Sequence, residues 1–396
     1  MDFRDSPDEA EFRDRLRTWL EENIPKGWGT PGYREPEGAE RLAFYKDWSR
    51  RLYDAGFVGL AWPKAYGGYE APISHQVISL EEFARSEAPE HMNVIGIGMA
   101  GPTILSHGTE DQRARYLQRI LTAEDIWCQG FSEPGAGSDL ASLTTRAVRD
   151  GDHYVVNGQK VWSSFAHVAD YCILLTRTDA TGAKHQGLTY FVLDMHADGV
   201  EVRPLRQITG DSEFNEIFLT DVRIPAENVL GREGDGWAVA ITTLMNERAS
   251  LGVALTVRLE VALRHLVELA KSTRRNGSTA AQDPLVRDGI AQLWIDLAAL
   301  RFTNYRAYSS FLETGMPGPE GSTAKLVWSE TNQRLTKLAI EIEGPFALLS
   351  GGPRSVLDGR WQRLQLRSRG NSIEGGTSEV LRNIIAERVL RLPKGR

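Results

Sequence analysis

The feature that most constrains this chain is a change in hydrophobic period, from about 3.6 residues to 2 and back again. Residues 8–24 place Phe12, Leu16, Trp19, Leu20 and Ile24 at spacings of three, four and one, the stripe of an amphipathic helix. Ser6 or Asp8 can cap it, and Pro7 sits near its start, where a missing N–H costs nothing. Helical pattern continues over 39–55, 74–86 and 112–121. Near residue 125 it stops. Segments 153–156, 160–163, 171–176, 188–193, 200–205 and 216–224 read as short strands separated by Gly, Asp and Pro. Asn157-Gly158 reads as a type I′ hairpin turn. From Gly236 the helical period returns, predicting helices over 237–271, 285–313, 322–350 and 377–390. Helices, then short antiparallel strands, then helices predict an α+β multidomain chain whose middle is a small barrel or sandwich.

With 396 residues the chain is long enough for two or three packed units. Its net charge of −7 argues against a general nucleic-acid binder, which needs Lys and Arg to neutralise phosphates. A local basic patch for one anionic ligand stays open. Cys128 and Cys172 are too few for a disulfide framework or a four-cysteine zinc site, and the eight histidines show no metal-ligand spacing. No metal is expected. The start, Met1-Asp2-Phe3-Arg4-Asp5, lacks the basic and apolar regions of a secretory signal, and a mitochondrial presequence avoids acids. No window approaches the roughly 20 apolar residues of a membrane span. The expected location is cytoplasmic.

Gly96-Ile97-Gly98-Met99-Ala100-Gly101 matches the dinucleotide-binding pattern GxGxxG. That fingerprint must follow a strand and open a helix in a βαβ unit. Here helical pattern precedes it and Pro102 follows, so these glycines are expected to let helices pack closely.

Three segments carry chemistry. Phe131-Ser132-Glu133-Pro134-Gly135-Ala136-Gly137-Ser138-Asp139 makes a tight loop whose N–H groups and hydroxyls can face a phosphate or a polar ring edge. Asn157-Gly158-Gln159-Lys160-Val161-Trp162-Ser163-Ser164 sets a Trp beside small hydroxyls, fit to flank a flat aromatic ligand. Ser372-Ile373-Glu374-Gly375-Gly376-Thr377-Ser378-Glu379 sets two glycines before a helix cap, leaving N–H groups for an anionic oxygen. Singly, each has an ordinary reading: a turn, a core tryptophan, a helix cap.

Together, and with Asp221–Gly231 and Gly234-Asp235-Gly236-Trp237, they resemble the acyl-CoA dehydrogenase family over nearly the whole chain. The resemblance implies an N-terminal helical domain over 1–124, a middle β-barrel over 125–232 and a C-terminal four-helix bundle over 233–396. It implies FAD as cofactor, an acyl-CoA substrate from fatty-acid or steroid side-chain breakdown, and an electron-transfer flavoprotein or similar acceptor. A homo- or hetero-tetramer is implied, with mixed tetramers known among steroid-degrading relatives. By the same resemblance Phe131, Ser132, Gly137 and Ser138 contact FAD or the pantetheine. Trp162 and Ser164 flank the flavin, and Thr377 and Glu379 lie near its phosphates or adenosine.

The reaction needs a base for the α proton, and a partly desolvated carboxylate suits it. The family's commonest base precedes the Gly-Thr of the last motif; here that position is Gly375, with Glu374 one residue earlier. A minority place the base on the first bundle helix, where Glu247 and the Arg248 that follows it match. Glu247 is the expected base, Glu374 the alternative, and the Gly375 N–H is expected to polarise the thioester oxygen. Arg274, Arg275, Glu341 and Gly344 occupy the positions implied to reach flavin across subunits, but the family's Phe and second Gly are absent there. Two other readings stay open: a flavin monooxygenase or oxidase on the same scaffold, and a partner subunit supporting another chain's site.

Overall fold

The computed structural model describes residues 4–275, 277–314 and 320–393, and the side chains of 247–251, 311, 312, 314 and 320 lie outside that description. The residues group into two compact units. One holds Met1–Arg34, Val77–Ala88 and Arg248–Arg396; the other holds Glu35–Gln76 and Pro89–Glu247.

In the first unit, helix α1 (Pro7–Asn23) is capped by Ser6 rather than Asp8. Glu9 N–H donates to Ser6 Oγ and Ser6 N–H to Glu9 Oε2, a reciprocal capping box. The helix buries Phe12, Leu16 and Leu20. Helix α2 (Gly38–Asp54) belongs to the other unit, and α3 (Ile73–Ser86) presents Glu81 and Glu82, which accept from Arg13 and Arg17 of α1.

In the second unit, Gly96–Ala100 forms a π-helical turn leading into α4 (Gly101–His107). A Cβ on Gly101 would come 1.9 Å from the Trp62 ring, so the GxGxxG run serves close packing, as its surroundings predict. Helix α5 (Glu110–Leu121) starts two residues before the apolar pattern because Thr109 and Gln112 make a second capping box.

The strands are β1 (Trp127–Gly130), β2 (Arg146–Asp150), β3 (His153–Ser164), β4 (Tyr171–Arg177), β5 (Leu188–Asp194), β6 (Val200–Leu205) and β7 (Phe214–Pro225). They form one seven-stranded sheet, mostly antiparallel, with β1 parallel to β4. Among the named strands β5 pairs only with β4 and β6 only with β7, and the sheet curls into a half-barrel, the middle β domain that the sequence predicts. Strands β1 and β2 escape the sequence pattern because neither alternates: β1 is almost wholly buried, and β2 buries only Ala147. The Asn157-Gly158 hairpin is corrected. Both residues lie inside β3, at a bulge where a Gly158 Cβ would meet Thr145 Oγ1 at 2.5 Å. The chain turns instead at Gly151-Asp152, with Gly151 at φ +63° joining β2 to β3.

Helix α6 (Gly236–Ser272) precedes a two-stranded ribbon, β8 (Arg274–Arg275) and β9 (Ser278–Thr279). Then follow α7 (Pro284–Thr314), α8 (Glu320–Glu343), α9 (Arg360–Asn371) and α10 (Ser378–Ile384). Helix α8 ends earlier than its pattern suggests because Gly344 adopts φ +59° and Pro345 cannot continue it. Leu259, Leu266, Leu297, Leu335, Ile342 and Trp361 form the core here. Among the described residues no helix is long and apolar enough to cross a membrane.

Candidate active site

The predicted site residues fall into two groups, one on each unit. The first is built on the loop after β1 and on β3. Glu133 and Ala136 exchange two backbone hydrogen bonds of 3.0 Å, closing a tight turn over Pro134-Gly135. Phe131 is buried, its ring edge-on to Tyr190 at 5.7 Å. Ser132 is half-buried, while Gly137 and Ser138 are exposed at the end of the loop. A Cβ on Gly135 or Gly137 would meet nothing within 4 Å, so this stretch of backbone faces open space.

Trp162 follows on β3. It is 59% exposed and sits at φ +63°, at a bulge between Lys160 and Ser163. A bulky residue in that region costs about 1–3 kcal/mol and persists only where neighbours over-determine it. Its indole lies edge-on to Phe214 at 5.9 Å. Ser164 pairs with Phe214 at the end of the strand. Among the described residues Gln129 Nε2 on β1 and Ser163 Oγ on β3 are buried polar atoms without a partner, as are Trp127 Nε1, Thr145 Oγ1 and Asn215 Oδ1 on the same unit.

Beneath the loop lies an ion pair that reading the sequence missed. Lys160 is wholly buried, and its Nζ donates to Glu133 Oε1 at 2.9 Å and to the Phe131 carbonyl at 3.1 Å. Glu133 also accepts from Thr144 N–H, Thr144 Oγ1 and Thr145 N–H at 2.7, 2.8 and 2.9 Å. Burial pushes the Glu133 carboxyl up, but the Lys160 charge and these bonds outweigh it and hold it at about 2. The available signal was phase: Lys160 is in period-2 step with the buried Tyr154 and Val156 of β3.

Glu247 and Arg248 lie on α6, and their side chains are outside the described residues. One turn before Glu247, Thr243 Oγ1 lies 2.9 Å from both Thr103 Oγ1 and the Tyr190 hydroxyl, and Thr242 Oγ1 lies 2.8 Å from His107 Nε2. Burial pushes the Tyr190 phenol far above its ordinary value, so it stays neutral.

The second group sits between α9 and α10. Thr377 caps α10 by accepting from Val380 N–H at 3.2 Å. Glu379 is exposed in its first turn, its carboxyl lowered by its own backbone N–H and then by the Thr377 hydroxyl. Gly375 and Gly376 take φ +61° and +100°. Lys325 Nζ holds the Gly376 carbonyl at 2.7 Å. The Gly375 N–H makes no backbone hydrogen bond among the described residues. Glu374 is not free: Arg367 Nη2 donates to it at 2.7 Å, Arg367 Nη1 at 3.3 Å and Asn371 Nδ2 at 2.7 Å. On the same unit, Arg275 donates to the Glu341 carbonyl and lies against Gly344, bringing those three positions together, while Arg274 is exposed on β8.

Comparison with known proteins agrees with this arrangement along the chain. Residues 6–124, 128–222 and 234–390 match the models for the N-terminal, middle and C-terminal domains of acyl-CoA dehydrogenase. The chain belongs to the acyl-CoA dehydrogenase family. It is 41% identical to acyl-CoA dehydrogenase IpdE1 of Mycobacterium tuberculosis, over 98% of each protein. Among solved structures it resembles the Tcur3481-Tcur3483 steroid ACAD, at 31% identity and TM-score 0.87 over the whole of both chains. It also resembles the ChsE4-ChsE5 complex from Mycobacterium tuberculosis, at 32% identity and TM-score 0.85, again over the whole of both chains. As a member of this family the chain is an oxidoreductase acting on acyl-CoA.

Proposed function

We propose that this acyl-CoA dehydrogenase uses FAD to desaturate a bulky, steroid-derived acyl-CoA at its α and β carbons, with Glu247 as the base. The observation that carries the choice of base is the state of Glu374, whose carboxylate is taken up by Arg367 and Asn371. Three donors occupy its oxygens, so the side chain is held in an ion pair on its own unit. Glu247, on the helix one turn beyond the Thr103–Thr243–Tyr190 hydroxyl cluster, is the remaining candidate.

The residues present fit a flavin. Among the described residues Gln129 Nε2 and Ser163 Oγ are buried donors without a partner, and next to Ser163 in sequence stands the exposed Trp162 indole on strained backbone. Phe131, Ser132, Gly137, Ser138, Trp162 and Ser164 would hold the ring system and its neighbours. Arg274, Arg275, Glu341, Gly344, Thr377 and Glu379 would serve the phosphates and adenosine. When bound, FAD supplies the two-electron acceptor for the β hydride. Glu247 removes the α proton, and the Gly375 N–H stabilises negative charge growing on the thioester oxygen. Arg248, which follows Glu247 in sequence, is the second residue assigned to this part of the site by the family resemblance.

The steroid-derived acyl group is inferred from the names of the similar structures, and a second chain in the assembly from those that are complexes. Trp294, Ile295 and Phe302, exposed apolar residues on one helix, α7, supply surface for such an association. An electron-transfer flavoprotein or similar carrier would reoxidise the enzyme.

The test is anaerobic titration of the yellow protein, alone and with candidate partner chains, using acyl-CoA thioesters that include steroid side-chain acids. Bleaching by a steroid thioester supports the reading. Bleaching only by short straight-chain thioesters overturns the substrate class, and rapid reoxidation by air alone would mark an oxidase.

A further inference from the structure

Trp162 is an expensive residue for folding. Its backbone is strained, its indole is mostly exposed, and it therefore adds little to the core. What holds it is on either side. Before it, Lys160 is anchored in the buried pair with Glu133, and the Val161 N–H donates to the Ser132 carbonyl at 2.9 Å. After it, Asn215 Nδ2 donates to the Ser163 carbonyl at 2.9 Å. The path of the Lys160 stem is itself specified: a Cβ on Gly130 would meet Leu174 at 2.9 Å, Cys172 Sγ at 3.0 Å and the Lys160 stem at 3.5 Å.

A buried ion pair is a weak source of stability, since an apolar pair of the same volume often does as well. What an apolar pair cannot do is fix direction. Lys160 and Glu133 tie three segments to one another: the loop at 131–136, the turn at 144–145 and the bulged end of β3. We infer that the Lys160–Glu133 pair is a positioning device that sets the Trp162 indole and the Phe131–Gly137 loop in register for the flavin. Neither residue touches a reacting atom; both act through Trp162 and the loop. The inference rests on the flavin reading above.

The test uses the full chain loaded with FAD. Lys160→Met/Glu133→Gln removes both charges without leaving one unpaired. Thr144→Val is milder, deleting one donor to Glu133 at a partly exposed site. FAD affinity and the visible circular dichroism of bound flavin are read well below the melting temperature. The double variant is expected to melt cooperatively while its FAD dissociation constant rises about tenfold or more and its flavin dichroism changes. Thr144→Val, which leaves the Glu133 carboxylate its three other donors, is expected to show a two- to fivefold loss. In a Trp162→Ala background the double variant should cost much less than it does alone, because the pair acts through that side chain. Wild-type affinity and dichroism in both Thr144→Val and the double variant would overturn the inference, and so would full additivity with Trp162→Ala. Should the double variant not fold, Thr144→Val and its coupling to Trp162→Ala decide by themselves. A wild-type chain that takes up no FAD, alone or with a partner, would sink the flavin reading and this inference together, whereas variants that bind as wild type does sink only the inference.

Discussion

Arg367 reaches Glu374 through both terminal nitrogens, at 3.3 and 2.7 Å, and Asn371 meets the same carboxylate at 2.7 Å. This carboxylate lies one residue before the glycine that occupies the family's commonest base position, so the ion pair bears directly on which residue takes the proton.

Glu374→Gln is expected to keep flavin bleaching within about tenfold of wild type, since a half-exposed ion pair contributes only ~0–1 kcal/mol. Glu247→Gln is expected to slow bleaching by about 10²–10⁴, the usual contribution of a positioned base. Stopped-flow reduction under nitrogen measures both. Fast bleaching in Glu247→Gln with slow bleaching in Glu374→Gln would reverse the assignment.

Trp162→Gly separates strain from function. Glycine accepts φ +63° freely, so the flavin-free protein should be unchanged in stability or gain up to about 1 kcal/mol. Flavin retention should fall all the same, because the aromatic face is gone. Urea midpoints of the apoprotein, set beside FAD dissociation constants, check the two signs. A large loss of apoprotein stability would mean the indole packs as core.

Gly101→Ala tests the packing behind the glycine run. Alanine gains about 1 kcal/mol in helix propensity, but its Cβ would lie 1.9 Å from the ring of buried Trp62. Overpacking of a rigid ring costs ~1–3 kcal/mol or more and should win. A lowered urea midpoint is expected, and an unchanged one would mean the Trp62 ring yields.

His91 predicts a pH dependence. Burial lowers its pKa from the ordinary 6.5 to about 4. Asn93 N–H donates to Nδ1 at 3.1 Å, so the neutral ring places its proton on Nε2, 3.2 Å from the Leu121 carbonyl. Protonating Nδ1 would break the Asn93 bond. Between pH about 6.5 and about 4 the unfolded chain binds more protons than the native one, so stability is full above this window and falls as pH falls through it. The residue keeps part of its surface in solvent, which moderates the loss to about 2–3 kcal/mol. A His91→Gln variant should show a shallower decline over the same range, and an equally steep one would exclude this histidine as the source.

Helix α1 shows what local sequence can carry. Ser6, Pro7, Glu9 and the stripe at Phe12, Leu16 and Leu20 specify its start and its buried face without help from elsewhere. The strands β4 and β5 were legible for the same reason, as apolar runs bounded by turn residues. Strand β1 was not, because four residues without alternation carry no period, and α9 was not, because Arg-rich residues surround its buried Trp361. At the site, the sequence picked out the loop, Trp162 and the Gly375-Gly376 turn, but not how they are held.

The sequence by itself determined the order of helical and strand segments, the helix caps and the motifs that mark the family. Those are short-range properties, set by side-chain period and backbone preference within a few residues. Only the tertiary structure decided that Asn157-Gly158 is a bulge rather than a turn, that Arg367 and Asn371 occupy Glu374, and that Lys160 pairs with Glu133 across 27 residues of chain. A buried charge must find its opposite wherever the fold brings one, because the cost of leaving it unpaired in a low-dielectric interior exceeds any local preference.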